Sequence, residues 1–215
     1  MEKSTPLTGQ LIGYDPGGNA CHGLAVLTLD SGIATNLDIT TQATAATVLE
    51  MIKNTPALLG LGVDTLSCWH TGPSGWRPAD LWLRQRCKPV SNSVMSPNGL
   101  AGSMGLNGMS VLIESRSQSG ALPISETHPK VLYYALSNIK YDYAANARAM
   151  DAFLSQRLSI PVETQNDHEW DAVLSAYALQ LGLSGQWAHD LHTLADDLPG
   201  HAVHPCGPTH YWWPE

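Results

Sequence analysis

Apolar residues alternate or run on in three short stretches near the start of the chain: Leu11 to Asp15, Gly23 to Leu29 and about Thr35 to Ile39. With Pro16, Gly17, Gly18 and Asn19 between the first two, this pattern predicts three short strands joined by tight turns, a meander. From Thr44 the period changes, and Ala45, Val48, Leu49 and Ile52 recur at helical spacing until Asn54 to Pro56 break them. Leu58 to Val63 is a continuous apolar run, the mark of a strand buried on both faces and paired in parallel, with Asp64 at its carboxyl end. The stretch "ALPISETHPKVLYYALS" predicts strand, turn and helix, with Glu126 ending the strand and Pro129 in the first helical turn. Two amphipathic helices follow, over "AANARAMDAFLSQRL" and "NDHEWDAVLSAYALQLG".

Two regions lack a clear period. Residues 70–120 contain a short helix, "PADLWLRQR", and a glycine-rich stretch, "NGLAGSMGLNGMSVLIESRS", with helical spacing only in its second half; this reads as an insertion or lid. Residues 186–215, rich in His, Pro and Trp, read as an irregular tail. Together the elements predict one α/β domain over residues 1–215, a mixed five-stranded sheet flanked by helices.

Composition narrows this reading. At 215 residues, 43% apolar and 14% charged, the chain is long enough for one sizeable core and too short for two full α/β domains. The net charge of -8 argues against binding nucleic acid by overall basicity but leaves local basic patches open. "MEKSTPLTGQ" has no signal-peptide core, and no stretch reaches the length of a membrane span, so a cytoplasmic protein without a membrane partner is expected. Cys21, Cys68, Cys87 and Cys206 show no CxxC spacing, and reduced thiols are the expectation.

The chemistry lies with the acids. Turn residues already supply the first hairpin, so the carboxylate of Asp15 at the last buried position of its strand is surplus to folding. In open α/β sheets sites form beyond the carboxyl ends of strands, and Asp15, Asp64 and Glu126 all fall there. In the last helix Trp170, Val173, Leu174, Tyr177 and Leu181 form the apolar stripe, and Asp171 lies at its edge, past the turn in which it could cap the helix. Asp167 reads as a capping or dipole residue, with Asn166 as the other candidate cap and Glu169 completing a capping box. Each acid alone could be a solvated strand end. Converging without paired Lys or Arg, they would repel one another unless divalent cations lay between them, and hard oxygen ligands suit Mg²⁺ or Mn²⁺. Such a centre hydrolyses phosphodiesters, which makes nucleic acid, DNA or RNA, the expected substrate.

Arg77, Arg84, Arg86 and Lys88, interleaved with Trp76 and Trp82, could grip phosphates and stack a base; the alternative is a solvated helix with Leu81 and Trp82 turned inward. His128 could donate a proton or steer a phosphate, or it could cap the helix that follows. His201, His204, Cys206 and His210 match no zinc module, and Pro205 and Pro208 impose an extended path.

The order of elements, with acids on the first strand, the fourth strand and the last helix, resembles the ribonuclease H-like fold. More narrowly, "GYDPGG", "GVDTLSCW", "ETHPKVLYYAL" and "DHEWDAVLSAYA" resemble the DUF429 family of predicted nucleases, in order over residues 11–183. The resemblance implies Asp15, Asp64 and Asp171 as metal ligands and Glu126 as a third or supporting carboxylate, with His128 beside the site. The glycine-rich stretch at 96–110 and the tail depart from the family pattern. Other readings remain: a non-catalytic scaffold that docks a partner, or an ATP-binding protein of the sugar-kinase and actin superfamily, since "GYDPGG" also resembles a phosphate-binding hairpin. A homodimer stays open.

Overall fold

The computed structural model describes residues 6–18, 20–99, 102–198 and 200–215; Asn19 of the predicted turn and Leu100 and Ala101 of the glycine-rich stretch lie outside them. The meander forms as β1 (Gly9–Asp15), β2 (His22–Asp30) and β3 (Ile33–Gln42), each antiparallel to the next. Helix α1 (Ala45–Asn54) starts where the Thr44 side chain accepts a hydrogen bond from Thr47 N–H at 3.1 Å. It leads into β4 (Leu58–Val63), which lies parallel to β1 as its apolar run predicts. After β5 (Trp69–His70) come α2 (Pro78–Arg86) and α3 (Ser103–Ser119), then β6 (Ile124–Glu126), parallel to β4. The main sheet therefore has five strands in the order β3-β2-β1-β4-β6, with β1 at its centre. Helices α4 (Pro129–Ser137), α5 (Tyr143–Leu158) and α6 (Asp167–Leu183) complete the body.

Along β1, Leu11 joins the core on one face of the sheet, while Ile12 and Tyr14 join the core on the other. The period of two then puts Asp15 on the Leu11 face, which α6 covers. Three glycines on three adjacent strands let α6 approach. A Cβ on Gly13 would meet the Ala172 carbonyl, one on Gly23 the His168 carbonyl, and one on Gly62 the Ser175 carbonyl. The helix backbone thus rests on a glycine lane across the sheet, directly behind the strand ends. Its far side is covered too, by α5 and by the tail, so α6 is buried nearly all round and not along one stripe alone.

Residues 70–120 are more regular than their composition suggests. Helix α3 begins at Ser103, earlier than its spacing predicts, and packs on α1 as the crossover between parallel β4 and β6. Gly108 obscures the helical pattern because a side chain there would strike Thr65 just after β4. The tail is packed as well. β7 (His189–Asp190) pairs with β9 (Trp212–Trp213), and β8 (Ala202–Val203) pairs with β5. His210 bonds through its backbone to Ile124 and Glu126, so the tail lines the edge of β6, while Tyr211 and Trp213 enter the core. Aromatic burial and the unpaired backbone of an edge strand together hold it there. Among the described residues no helix is long and apolar enough to cross a membrane.

Candidate metal centre

Asp15 at the end of β1, Asp64 just after β4 and Asp171 in the second turn of α6 each place a carboxylate oxygen within 4.8 Å of the other two. Asp15 and Asp171 are buried and Asp64 is half-buried. The strands fix two of the three, since Asp64 N–H donates to the Tyr14 carbonyl at 2.9 Å and ties the two strand ends together. The glycine lane brings in the third, and Ser175, one turn on, donates to the Asp171 carbonyl at 2.8 Å while bonding Thr127 at 2.6 Å.

Electrostatically this cluster is unresolved. Burial raises the pKa of all three acids; the Asp15 charge raises Asp64 further, and both act on Asp171, so Asp64 and Asp171 stand well above the ordinary carboxylate range. Oδ1 of Asp15 and Oδ1 of Asp171 are buried and accept no hydrogen bond. The Tyr141 hydroxyl is close enough to influence Asp171 but stays outside hydrogen-bond geometry. Buried carboxylate oxygens without a hydrogen bond, in a cluster of three acids within 4.8 Å, are what a divalent cation with oxygen ligands requires, and the donor set fits Mg²⁺ or Mn²⁺.

The sequence reading passed over His168. Its Nδ1 lies 2.6 Å from Asp15 Oδ2, and that bond raises the histidine pKa against the opposing effect of burial. The available signal was its position three residues before Asp171, on the same side of the helix. Lys130, exposed in the first turn of α4, acts electrostatically on all three aspartates, and its ammonium lies 5.7 Å from the Tyr141 ring centre. Asn166, not Asp167, caps α6, accepting from Glu169 N–H at 3.0 Å.

Glu126 and Arg77, expected as an acid of the site and as a phosphate grip, are placed instead in one buried ion pair. The guanidinium donates to Oε1 at 2.6 Å and to Oε2 at 2.8 Å of Glu126, and to Oδ1 at 2.7 Å and Oδ2 at 2.9 Å of Asp80. Ser67 adds its N–H and its hydroxyl to Glu126 Oε2, each at 2.8 Å. Burial alone would raise the Glu126 pKa; Arg77 outweighs it and holds the carboxyl well below its usual range. Cys68 and His192 lie against the same carboxylate, and although burial opposes it, their bonds push His192 up to about 10. This second acidic group therefore carries its own cations.

The other expected residues are dispersed. Arg84 donates to the Ser91 and Val94 carbonyls at 2.9 and 3.0 Å and stacks over Trp76, while Arg86 and Lys88 are exposed. Leu81 faces solvent, whereas Trp82 packs edge-on against His189 and Trp213. His128 occupies the position before α4 without capping it and donates from Nε2 to the Ser93 carbonyl at 2.8 Å. Among the described residues, His201, His204, Cys206 and His210 do not converge on a metal site; His210 pairs with Asp190 at 2.7 Å.

No family model and no curated protein matches the chain. Among solved structures it is similar to Thermus thermophilus RuvC in complex with a Holliday junction substrate, at 14% identity, over 82% of this chain and 96% of that one, with a TM-score of 0.50. A second structure of Thermus thermophilus RuvC is 12% identical over the same shares, with a TM-score of 0.47. At such identities the likeness concerns the fold, and together with the strand order β3-β2-β1-β4-β6 it gives the chain a ribonuclease H-like α/β architecture.

Proposed function

We propose that this protein is a metal-dependent nuclease or related phosphodiesterase, with Asp15, Asp64 and Asp171 holding one or two Mg²⁺ or Mn²⁺ ions. The observation that carries the reading is the convergence of three carboxylates within 4.8 Å, two of them with buried oxygens that accept no hydrogen bond, on this fold. Bound there, the ions would polarise a scissile phosphate and favour deprotonation of an attacking water. The chain's own groups set the geometry. His168 holds Asp15 through Oδ2 and leaves Oδ1 for a ligand; Lys130 lies at the rim, where its ammonium can meet a phosphate oxygen. Nucleic acid as the substrate class is supported by the solved RuvC complex with a Holliday junction and by the motifs that resemble the DUF429 family.

The test is cleavage of labelled single-stranded, double-stranded and four-way DNA, and of RNA, in Mg²⁺ or Mn²⁺. Cleavage of at least one, abolished by EDTA and by Asp171→Asn in a folded variant, is the expected result. Absence of Mn²⁺ binding to the wild type by calorimetry, with no cleavage of any substrate, would leave the non-catalytic scaffold in its place.

A further inference from the structure

A cleft of about 310 Å³ has Asp64 in its lining, but not Asp15 or Asp171, together with His128 and Lys130 at the start of α4 and Asn92, Ser93 and Met95 of the segment after α2. Its volume lies at the lower end of the range for small-molecule sites, about 300 to 1,000 Å³. A double helix cannot enter a space of that size, but one nucleoside can.

The lining says what kind of group would occupy it. Leu66, Met95, Met104 and Tyr211 give it apolar walls, and Met95 is 48% exposed although it borders the cleft. Methionine is polarizable and unbranched, suited to covering the flat face of a π-system. The charges among its lining residues, Arg77, Asp80 and Glu126, are bonded to one another, and His192, protonated against Glu126 at 3.5 Å, offsets the second carboxylate, so the group as a whole carries no net charge. Polar contacts come from the Asn92 amide and from His128. Burial lowers the His128 pKa, so the ring is neutral at pH 7; with Nε2 donating to Ser93, its Nδ1 is left as an acceptor. Lys130 stands where the cleft meets the aspartates. A planar, neutral, amphipathic group joined to an anionic phosphate matches this lining: a nucleobase of the cleaved strand.

We infer that the nucleotide beside the scissile phosphate is lifted out of its stack and lodges its base in this cleft, so that the protein prefers substrates with an unpaired nucleotide at the cut over fully paired duplex. This inference rests on the nuclease reading. Lifting a base out of an intact duplex costs a few kcal/mol and out of a single strand less, which is where the preference arises.

The probe is a short oligonucleotide carrying 2-aminopurine, single-stranded or fully paired, with Ca²⁺ replacing Mg²⁺ to slow cleavage, alongside Mn²⁺ calorimetry on the same preparations. The expected result is a rise in 2-aminopurine emission on binding the single strand, and a Kd about tenfold tighter than for the duplex. Met104→Trp, which fills the cleft, and Met95→Ala, which removes an exposed wall and spares the core, should each abolish the rise and weaken single-strand binding about tenfold, with Mn²⁺ binding unchanged. Normal Mn²⁺ binding with equal affinity for both forms, insensitive to both variants, overturns the base cleft and leaves the metal centre standing. Failure of the wild type to bind Mn²⁺ overturns both.

Discussion

Glu126 and Asp80 share one arginine, while Asp15, Asp64 and Asp171, gathered beside them at the same end of the sheet, share none. The two groups are neighbours: Val63, just before Asp64, pairs with Glu126 across β4 and β6. Burial disfavours the charged form in both, yet the counter-charges give opposite outcomes. Around Arg77 every carboxylate oxygen of Glu126 and Asp80 accepts a hydrogen bond, and the Glu126 pKa falls. Among the aspartates two oxygens accept none, and all three pKa values rise. The first group is complete as the chain folds; in the second, completion by a cation from outside is the proposal that the experiments below test. Acidity at a strand end is therefore a poor guide to chemistry until the counter-charge is located.

The contrast breaks most visibly at Arg77. Arg77→Met leaves Asp80 buried without a counter-charge and Glu126 with His192 alone, and removing one partner of a buried pair typically costs about 3 to 5 kcal/mol. Urea unfolding should show a loss of that order, and a loss below about 1 kcal/mol would mean that the acids find water or neutralise cheaply. The same group sets pH limits. Glu126 has a depressed pKa, so its stabilisation is present above the ordinary carboxylate value of about 4.3 and declines as pH falls below it. His192 has a raised pKa, so its contribution is complete below about 6.5 and is lost as pH rises towards about 10. Unfolding followed from pH 4 to about 10 should show the alkaline decline, and His192→Gln should flatten it.

The sequence makes these two groups look alike. Asp15, Asp64 and Asp171 were legible because each has a periodic apolar segment to fix its place: a strand end twice, a helix edge once. Glu126 sits at a strand end by the same logic, and only the fold reveals that Arg77, nearly fifty residues earlier on an aperiodic loop, reaches it. Its contact is set by the path of the chain between β5 and α2, which local spacing does not encode. His168 escaped notice for a different reason. A histidine in a first helical turn has ordinary explanations, and its bond to Asp15 depends on Gly13 and Gly23 letting α6 settle onto the sheet. Those glycines were visible inside "LIGYD" and "HGLAV", where they should weaken a strand; close helix approach is what they provide. The tail reads as irregular, and apart from two-residue strands it is; its Pro and His content hides how well Tyr211 and Trp213 fill the core.

A smaller effect sharpens the other half of the contrast. Mn²⁺ at one hundred times its Kd should stabilise the wild type by about 2.7 kcal/mol, because the ion binds the folded carboxylate set and not the unfolded chain. The gain should shrink as pH falls from 8 to 5, since protons compete for carboxylates whose pKa values are raised. Asp171→Asn should show little gain at any pH. Thermal unfolding with and without the ion reads all three, and equal stabilisation of the variant would place the ion elsewhere.

The smallest effect has the opposite sign from most core substitutions. In metal-free protein Asp64→Asn removes one of three mutually repelling charges and keeps nearly the same shape. Because the folded pKa of Asp64 is raised, the ionised wild type is penalised as pH climbs past about 3.9, and the penalty is complete only above the folded value. The variant should therefore match the wild type near pH 4 and be the more stable of the two at pH 8 in chelator. Excess Mn²⁺ should reverse the order, because the wild type gains the ion and the variant does not. If Asp64→Asn were instead destabilising at pH 8 without metal, the carboxylate would already have a favourable partner within the chain. The aspartates would then be a second Arg77-type group, and an external cation would no longer be required to explain them.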